Sequence, residues 1–350
     1  MVGGVSGAVT RTGTPGALLV IGDVVTDVVA RHATPLTPAT DTAARISTLP
    51  GGAGANVACW AAHAGAADVR LMACVGEDSA AWHEEALRRS GVRPVLRTEP
   101  DVPTAVVISL VDATAERTLV TDSGAALGLG PKDWNDALLE GVAHLHLSGY
   151  LFFADTSRAL AQAAMKSARA QGVPVSVDPA SAGFIEGFGP GRLLGALSGV
   201  DVLLPSLEEA RLLAGTREPE EAASVLSRRF PLVVMKLGPD GALLAEGGRT
   251  GPRVAAVPAG CVDTTGAGDA FTGAFLATRL SSRDTVDAAE AGCRAGAEAV
   301  AVTGGRPEPP GGGPRSGSAD RSRSITDLRG EGPGISSSVR PESRNGPPNR

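Results

Sequence analysis

The chain has 350 residues, 43% of them apolar, which suits one large α/β domain or two modest ones. Its formal net charge of −6 gives no basic surface to attract nucleic acid or an anionic membrane, so neither is expected as a partner. The four cysteines (Cys59, Cys74, Cys261, Cys293) form no CxxC pair and read as reduced thiols, and no window approaches the ~20 apolar residues of a membrane span.

Residues 1–16 lack the apolar core of a signal peptide; they read as a flexible segment of a cytoplasmic protein. Apolar runs then predict buried strands over 17–25, 69–76, 143–149, 174–178, 200–205 and 231–238, with helices over 56–65, 79–91, 156–172 and 206–215 between them. This alternation predicts an α/β fold, a mostly parallel sheet covered by helices on both faces. Two stretches break the rhythm. Residues 33–50 look extended and turn-rich, and 103–126 reads as a β-hairpin around the turn at 112–117. Together they predict a small β-lid at the edge of the sheet. After Gly304 the composition turns to Gly, Pro, Ser and Arg, so residues 305–350 are expected to be a disordered tail unable to offset its chain entropy.

Chemistry concentrates in a few stretches. "DTTGAGDAFTGAF" (263–275) runs from Asp263 through Gly266, Ala267 and Gly268 to Asp269, where an apolar helix begins. Small residues at a helix start leave converging backbone N–H groups that attract an anion. An acid beside such a site would repel the anion unless it has separate work, such as taking a proton from a hydroxyl that attacks phosphorus. A plain N-cap on a tight turn is the other reading of Asp269. No Gly-Lys pair occurs, which excludes a Walker P-loop, and no GxGxxG follows the first strand.

"GGAGANVACWAAHAG" (51–65) is a glycine-rich turn running into a helix, with Asn56 offering both donor and acceptor to a polyol; a helix-packing turn is the alternative. Asp23 and Asp27 follow the first strand, where open α/β sheets bind ligands. Lys236 stands inside an apolar run, where its ammonium needs a phosphate or an acid as partner. Ser206 and Glu209 follow a strand and either order water around Mg2+ or form a helix capping box.

Together these pieces resemble the ribokinase-like (PfkB) carbohydrate kinase family over residues 17–304, with both of its signatures in the expected order. The resemblance implies a three-layer ribokinase-like fold with a β-lid, and ATP-dependent phosphorylation of a small hydroxylated substrate of pentose or hexose type. It implies Asp269 as catalytic base and Gly266, Ala267 and Gly268 as anion hole. Asp27, Gly52 and Asn56 would hold sugar hydroxyls, and Lys236 and Gly238 would contact the nucleotide. ATP and Mg2+ are the implied cofactors, with Glu209 reaching Mg2+ through water. Asp263 and Thr265, with carbonyls near Ala301 and Gly304, match a monovalent-cation site that would take K+. Some members dimerise through the lid, which makes the hairpin at 103–126 a candidate homodimer surface.

The sequence also departs from the family pattern. Ser206 replaces the asparagine of Asn-x-x-Glu, and Ala53 stands where ribokinases carry lysine. No arginine follows "VDPAS" (177–181), which argues against a carboxylated sugar, and aromatic residues are few, which argues against a nucleoside. A nucleoside kinase of the same fold and a sugar-binding regulatory protein without catalysis are the alternatives.

Overall fold

The computed structural model describes residues 16–308 except Ala115 and Arg283. The expectations for 1–15 and for the tail from 309 onward lie outside the described residues.

The apolar runs form the parallel strands β1 (Ala17–Ile21), β4 (Val69–Gly76), β8 (Val142–Ser148), β9 (Val175–Asp178), β10 (Val202–Leu203) and β11 (Leu232–Lys236), joined by β5 (Val92–Glu99). A hairpin of β12 (Ala242–Glu246) and β13 (Arg249–Val254) adds two antiparallel strands at one edge. The order is β13-β12-β11-β10-β9-β8-β1-β4-β5, nine strands in all. Residues 255–260, which follow β13, carry no strand.

Alternation along β1 shows why both faces need helices. Leu19 and Ile21 enter one core and Leu18 and Val20 the other, all fully buried. The first core is closed by α3 (Asp155–Ala170), α4 (Ala182–Phe188), α5 (Pro190–Ala196), α6 (Leu207–Ala214) and α7 (Pro219–Ser227). The second is closed by α1 (Ala53–His63), α8 (Ala267–Ser281) and α9 (Thr285–Val300), with Phe271 and Phe275 stacked at 6.2 Å; Leu87 of α2 (Ala80–Arg89) also belongs to it. Among the described residues no helix is long and apolar enough to cross a membrane.

A second, four-stranded sheet forms the lid, in the order β3-β2-β6-β7. It comprises β2 (Val25–His32), β3 (Ala44–Gly51), β6 (Ala105–Val111) and β7 (Arg117–Asp122). The sequence reading found β3 and the β6–β7 hairpin but merged the start of β2 with the first strand. Asp27 therefore does not follow a core strand. It lies within the lid, opposite Leu49 on β3 and Val107 on β6.

Candidate active site

The parallel strands deliver polar residues to one rim, at their carboxyl ends. Asp23 follows β1, Ser148 ends β8, Asp178 ends β9, Ser206 follows β10 and Lys236 ends β11. With the lid above, they line a cleft of about 1710 Å3. Asp27, Gly52, Asn56, Ser206, Glu209, Lys236, Gly238, Thr265, Gly266, Ala267, Gly268 and Asp269 all line it, so residues from distant parts of the sequence meet there.

At the start of α8, Gly266 takes the N-cap position with φ 74 and no side chain caps the helix. Ala270 N bonds Gly266 O at 2.8 Å, while Gly268 N and Asp269 N have no main-chain acceptor among the described residues. Two amides and the positive end of a 15-residue helix thus face the cleft beside the Asp269 carboxylate. Asp269 Oδ2 accepts from Asn56 Nδ2 at 2.9 Å. Burial pushes the Asp269 carboxyl up to about 7 against that hydrogen bond, with help from the Asp178 charge.

Asn56 is 4% exposed and held from its other side by Arg306, whose Nε approaches Asn56 Oδ1 at 3.4 Å and whose Nη2 donates to Gly51 O at 2.7 Å. Gly305 O accepts from Trp60 Nε1 at 2.9 Å. A Cβ at Gly305 would lie 2.4 Å from Asn56 Nδ2, so any larger residue would displace the Asn56 amide. Both residues were assigned to the disordered tail from sequence. They are instead packed against α1, because the indole N–H, the Gly51 carbonyl and the Asn56 amide supply partners that composition could not reveal.

Asp23 and Asp27 have different surroundings. Asp23 accepts from Ala53 N (2.7 Å), Gly54 N (3.2 Å) and Ser148 Oγ (3.0 Å), so it neutralises the amino end of α1. Asp27 faces the cleft, and burial pushes its carboxyl up to about 6. Gly52, with φ 100, caps α1, and a Cβ there would meet Asp23 O at 2.6 Å.

On the other flank, Lys236 Nζ donates to Asp178 Oδ2, which also accepts from Thr272 Oγ1 at 3.0 Å. The partner of this ammonium is thus an acid, the second of the two explanations its position allowed. Burial opposes the Lys236 charge, and Asp178 and Glu209 outweigh it, leaving the ammonium above its ordinary value. Lys236 Nζ lies 3.5 Å from the Cβ position of Gly268, which places its charge beside the α8 amides. Ser206 and Glu209 form the capping box: Ser206 N donates to Glu209 Oε2 at 2.8 Å, and Glu209 N to Ser206 Oγ at 3.3 Å. Asp178 was not singled out from sequence, although an aspartate ending a buried strand was the available signal. Among the described residues no three His, Cys, Asp or Glu side chains form a metal cage. Glu209 and Asp178 line the cleft, so Mg2+ would be carried by substrate phosphates, with these carboxylates holding it through water.

The residues matched to a monovalent cation are engaged differently. Asp263, 8% exposed, accepts at Oδ1 from Thr265 N (2.9 Å), Thr265 Oγ1 (2.7 Å) and Arg117 Nη1 (3.1 Å). Arg117 also donates to the hydroxyls of Thr264 and Thr265. Gly304 N donates to Asp263 Oδ2 at 3.2 Å, and Arg31 stands 3.7 Å from that oxygen. Ala301 is exposed at the end of α9, and neither it nor Gly304 lines the cleft. A K+ site needs oxygen lone pairs turned inward. Here a guanidinium occupies them, so these side chains do not fit a bound K+.

Known proteins share this architecture. The model of the pfkB family of carbohydrate kinases matches residues 16–310. An ATP-dependent ribose-1-phosphate kinase from Halopiger xanaduensis is 33% identical over 269 residues, 74% of this chain and 83% of that protein. Among solved structures, the adenosine kinase from Sinorhizobium meliloti superposes with a TM-score of 0.75 at 23% identity, covering 84% of this chain and 96% of that one. The E. coli protein solved as ribokinase II in complex with ATP and Mg2+ gives 0.73 at 24% identity, covering 83% and 94%. The chain belongs to the pfkB carbohydrate kinase family and, as a member, is an ATP-dependent phosphotransferase.

Proposed function

We propose that this kinase transfers the γ-phosphoryl group of ATP to a hydroxyl of a small sugar of pentose or hexose type. The observation that carries the reading is Asp269 facing the cleft beside the unpaired amides of Gly268 and its own N–H. The substrate hydroxyl lies against Asp269, which accepts its proton as the oxygen attacks phosphorus. The free amides of Gly268 and Asp269 stabilise charge on the transferring group, at about 2.7–4 kcal/mol for a preorganised donor; Gly266 shapes the turn, and the Ala267 amide is already bonded to Thr264 O at 3.4 Å. Asp27 and Asn56 hold sugar hydroxyls and orient the acceptor, and the Gly52 backbone leaves room for it. Lys236 and Gly238 take the phosphate side. Mg2+, held by the phosphates with Glu209 through water, would neutralise charge on the nucleotide. The lid keeps water out of the cleft.

A nucleoside acceptor is the second reading. The few aromatic residues gather where one would need them: Tyr150, Phe153, Phe184 and Phe188 line the cleft, with Phe153 and Phe184 ring centroids 5.3 Å apart. Such a wall suits a base. A panel of sugars and nucleosides with MgATP, read by ADP release, decides. Turnover of ribose or fructose and none of adenosine supports the first reading, and the reverse supports the second. Sugar binding by calorimetry without ADP formation would instead support a regulatory protein.

A homodimer through the lid belongs to the same proposal. Ile46, Ile108 and Val120 are exposed on the lid, on strand positions alternating with the cleft-lining Val107 and Thr121. Light scattering of wild type and Ile46→Lys would test it, wild type giving the mass of a dimer and the variant that of a monomer.

A further inference from the structure

The lid register brings two arginines into one row. Arg31 on β2 pairs with Val111 on β6, which pairs with Arg117 on β7. Paired residues share a face, and Asp27, four positions before Arg31, lies on that face too. Both cationic partners of Asp263 among the described residues therefore come from the lid. The fork of Arg117 spans Asp263 and both threonines that precede the anion loop.

We propose that the Arg117 guanidinium supplies, from within the chain, the positive charge that a bound monovalent cation would supply at Asp263 and Thr265. The lid, rather than K+, then orders the turn leading into Gly266–Asp269. A carboxylate as buried as Asp263 needs a cationic or donor partner, and a planar fork satisfies a carboxylate and two hydroxyls at once. The main chain ties the same spot to the body, since Asp263 N donates to Val300 O at 3.2 Å and Gly304 N to Asp263 Oδ2. One rigid sheet thus presents Asp27 to the acceptor and Arg117 to the phosphate loop. The inference rests on the kinase reading above and adds that the organising charge is covalently part of the lid.

The experiment compares wild type, Arg117→Ala and Arg117→Gln in KCl, NaCl and choline chloride at a matched ionic strength of about 0.1 M. ADP release and melting temperature are both read. Wild type is expected to turn over at rates within about twofold in the three salts, with no K+-specific rise in Tm. Both variants should lose on the order of ten- to hundredfold in choline, at or below the loss of a direct donor. K+ should restore them and raise their Tm by about 2–4 °C. Arg117→Gln keeps a donor without the charge, so its agreement with Arg117→Ala assigns the effect to charge. Strong K+ stimulation or K+-specific stabilisation of wild type would overturn the proposal, as would variants that match wild type in choline. If no sugar or nucleoside is turned over, the functional reading falls, while the melting arm still decides the role of Arg117.

Discussion

Asn56 donates its side-chain amide to Asp269 across 213 residues of sequence, at 2.9 Å. The amide can point its N–H2 at the carboxylate because Arg306 Nε sits at its oxygen. Three side chains from the first turn of α1, the start of α8 and the segment after α9 therefore form one relay around the proposed base.

Replacing Asp269 by Asn should cut turnover by about 10²- to 10⁴-fold, the range a positioned general base contributes. Affinity for ATP should stay within a few-fold, because the amides of the α8 terminus remain. Steady-state ADP release and equilibrium titration of a non-hydrolysable ATP analogue check the two halves. Wild-type turnover by the variant would remove Asp269 from the mechanism.

The base must be ionised to act, and burial holds Asp269 near 7. Turnover is therefore expected to rise with pH through an apparent pKa of about 7. Arg306→Ala frees the Asn56 amide to rotate, which weakens the hydrogen bond that lowers the carboxyl. Its pH–rate profile should shift to higher pH, with kcat falling more than KM rises, and Arg306→Lys should recover part of the loss. An unshifted profile would leave Arg306 a packing residue only.

The same carboxyl shapes stability. A carboxyl raised in the folded state keeps its proton there after the unfolded chain has lost it, so stability falls as pH rises between the unfolded value near 4 and the folded value. For Asp27 that window closes at about 6 and for Asp269 at about 7. Asp269→Asn removes its share. Urea unfolding should show the variant gaining on wild type between pH of about 5 and about 7.5. A constant difference across that range would contradict the buried, raised carboxyl.

Gly52→Ala should destabilise the protein by roughly 1–3 kcal/mol, the cost of a strained backbone position. Its φ of 100 disfavours any Cβ, and the added atom meets Asp23 O at 2.6 Å. Urea melts would report the loss. Sugar affinity should fall with it, because the adjoining Gly51 packs against the Asp27 carboxylate.

Sequence pattern carried most of the sheet because fully buried parallel strands are uninterrupted apolar runs, as in "LVVM" of β11 and "ALLVI" of β1. It lost β2, since Val24 and Val25 extend the first run and nothing local marks the crossing from core sheet to lid. The β12–β13 hairpin was legible in principle: Gly247-Gly248, at φ 56 and 80, is a two-residue hairpin signal between short strands. The α8 terminus was legible because one contiguous stretch encodes it. Asp178 was legible in principle as the acid ending a predicted strand, but Arg306 and Arg117 were not, since each owes its position to partners brought near only by tertiary folding. Arg306 was further hidden by the Gly- and Pro-rich residues around it.

The pairing of Trp60 with Gly305 spans 245 residues, and that of Arg306 with Asn56 spans 250. On a ribosome, α1 emerges long before its partners exist. A nascent chain that has completed every strand of the sheet still lacks what fixes Asn56 against Asp269. Such long-range closure belongs to the late, slow part of folding. The nascent polypeptide thus stays without an aligned base until Gly305 and Arg306 have left the exit tunnel.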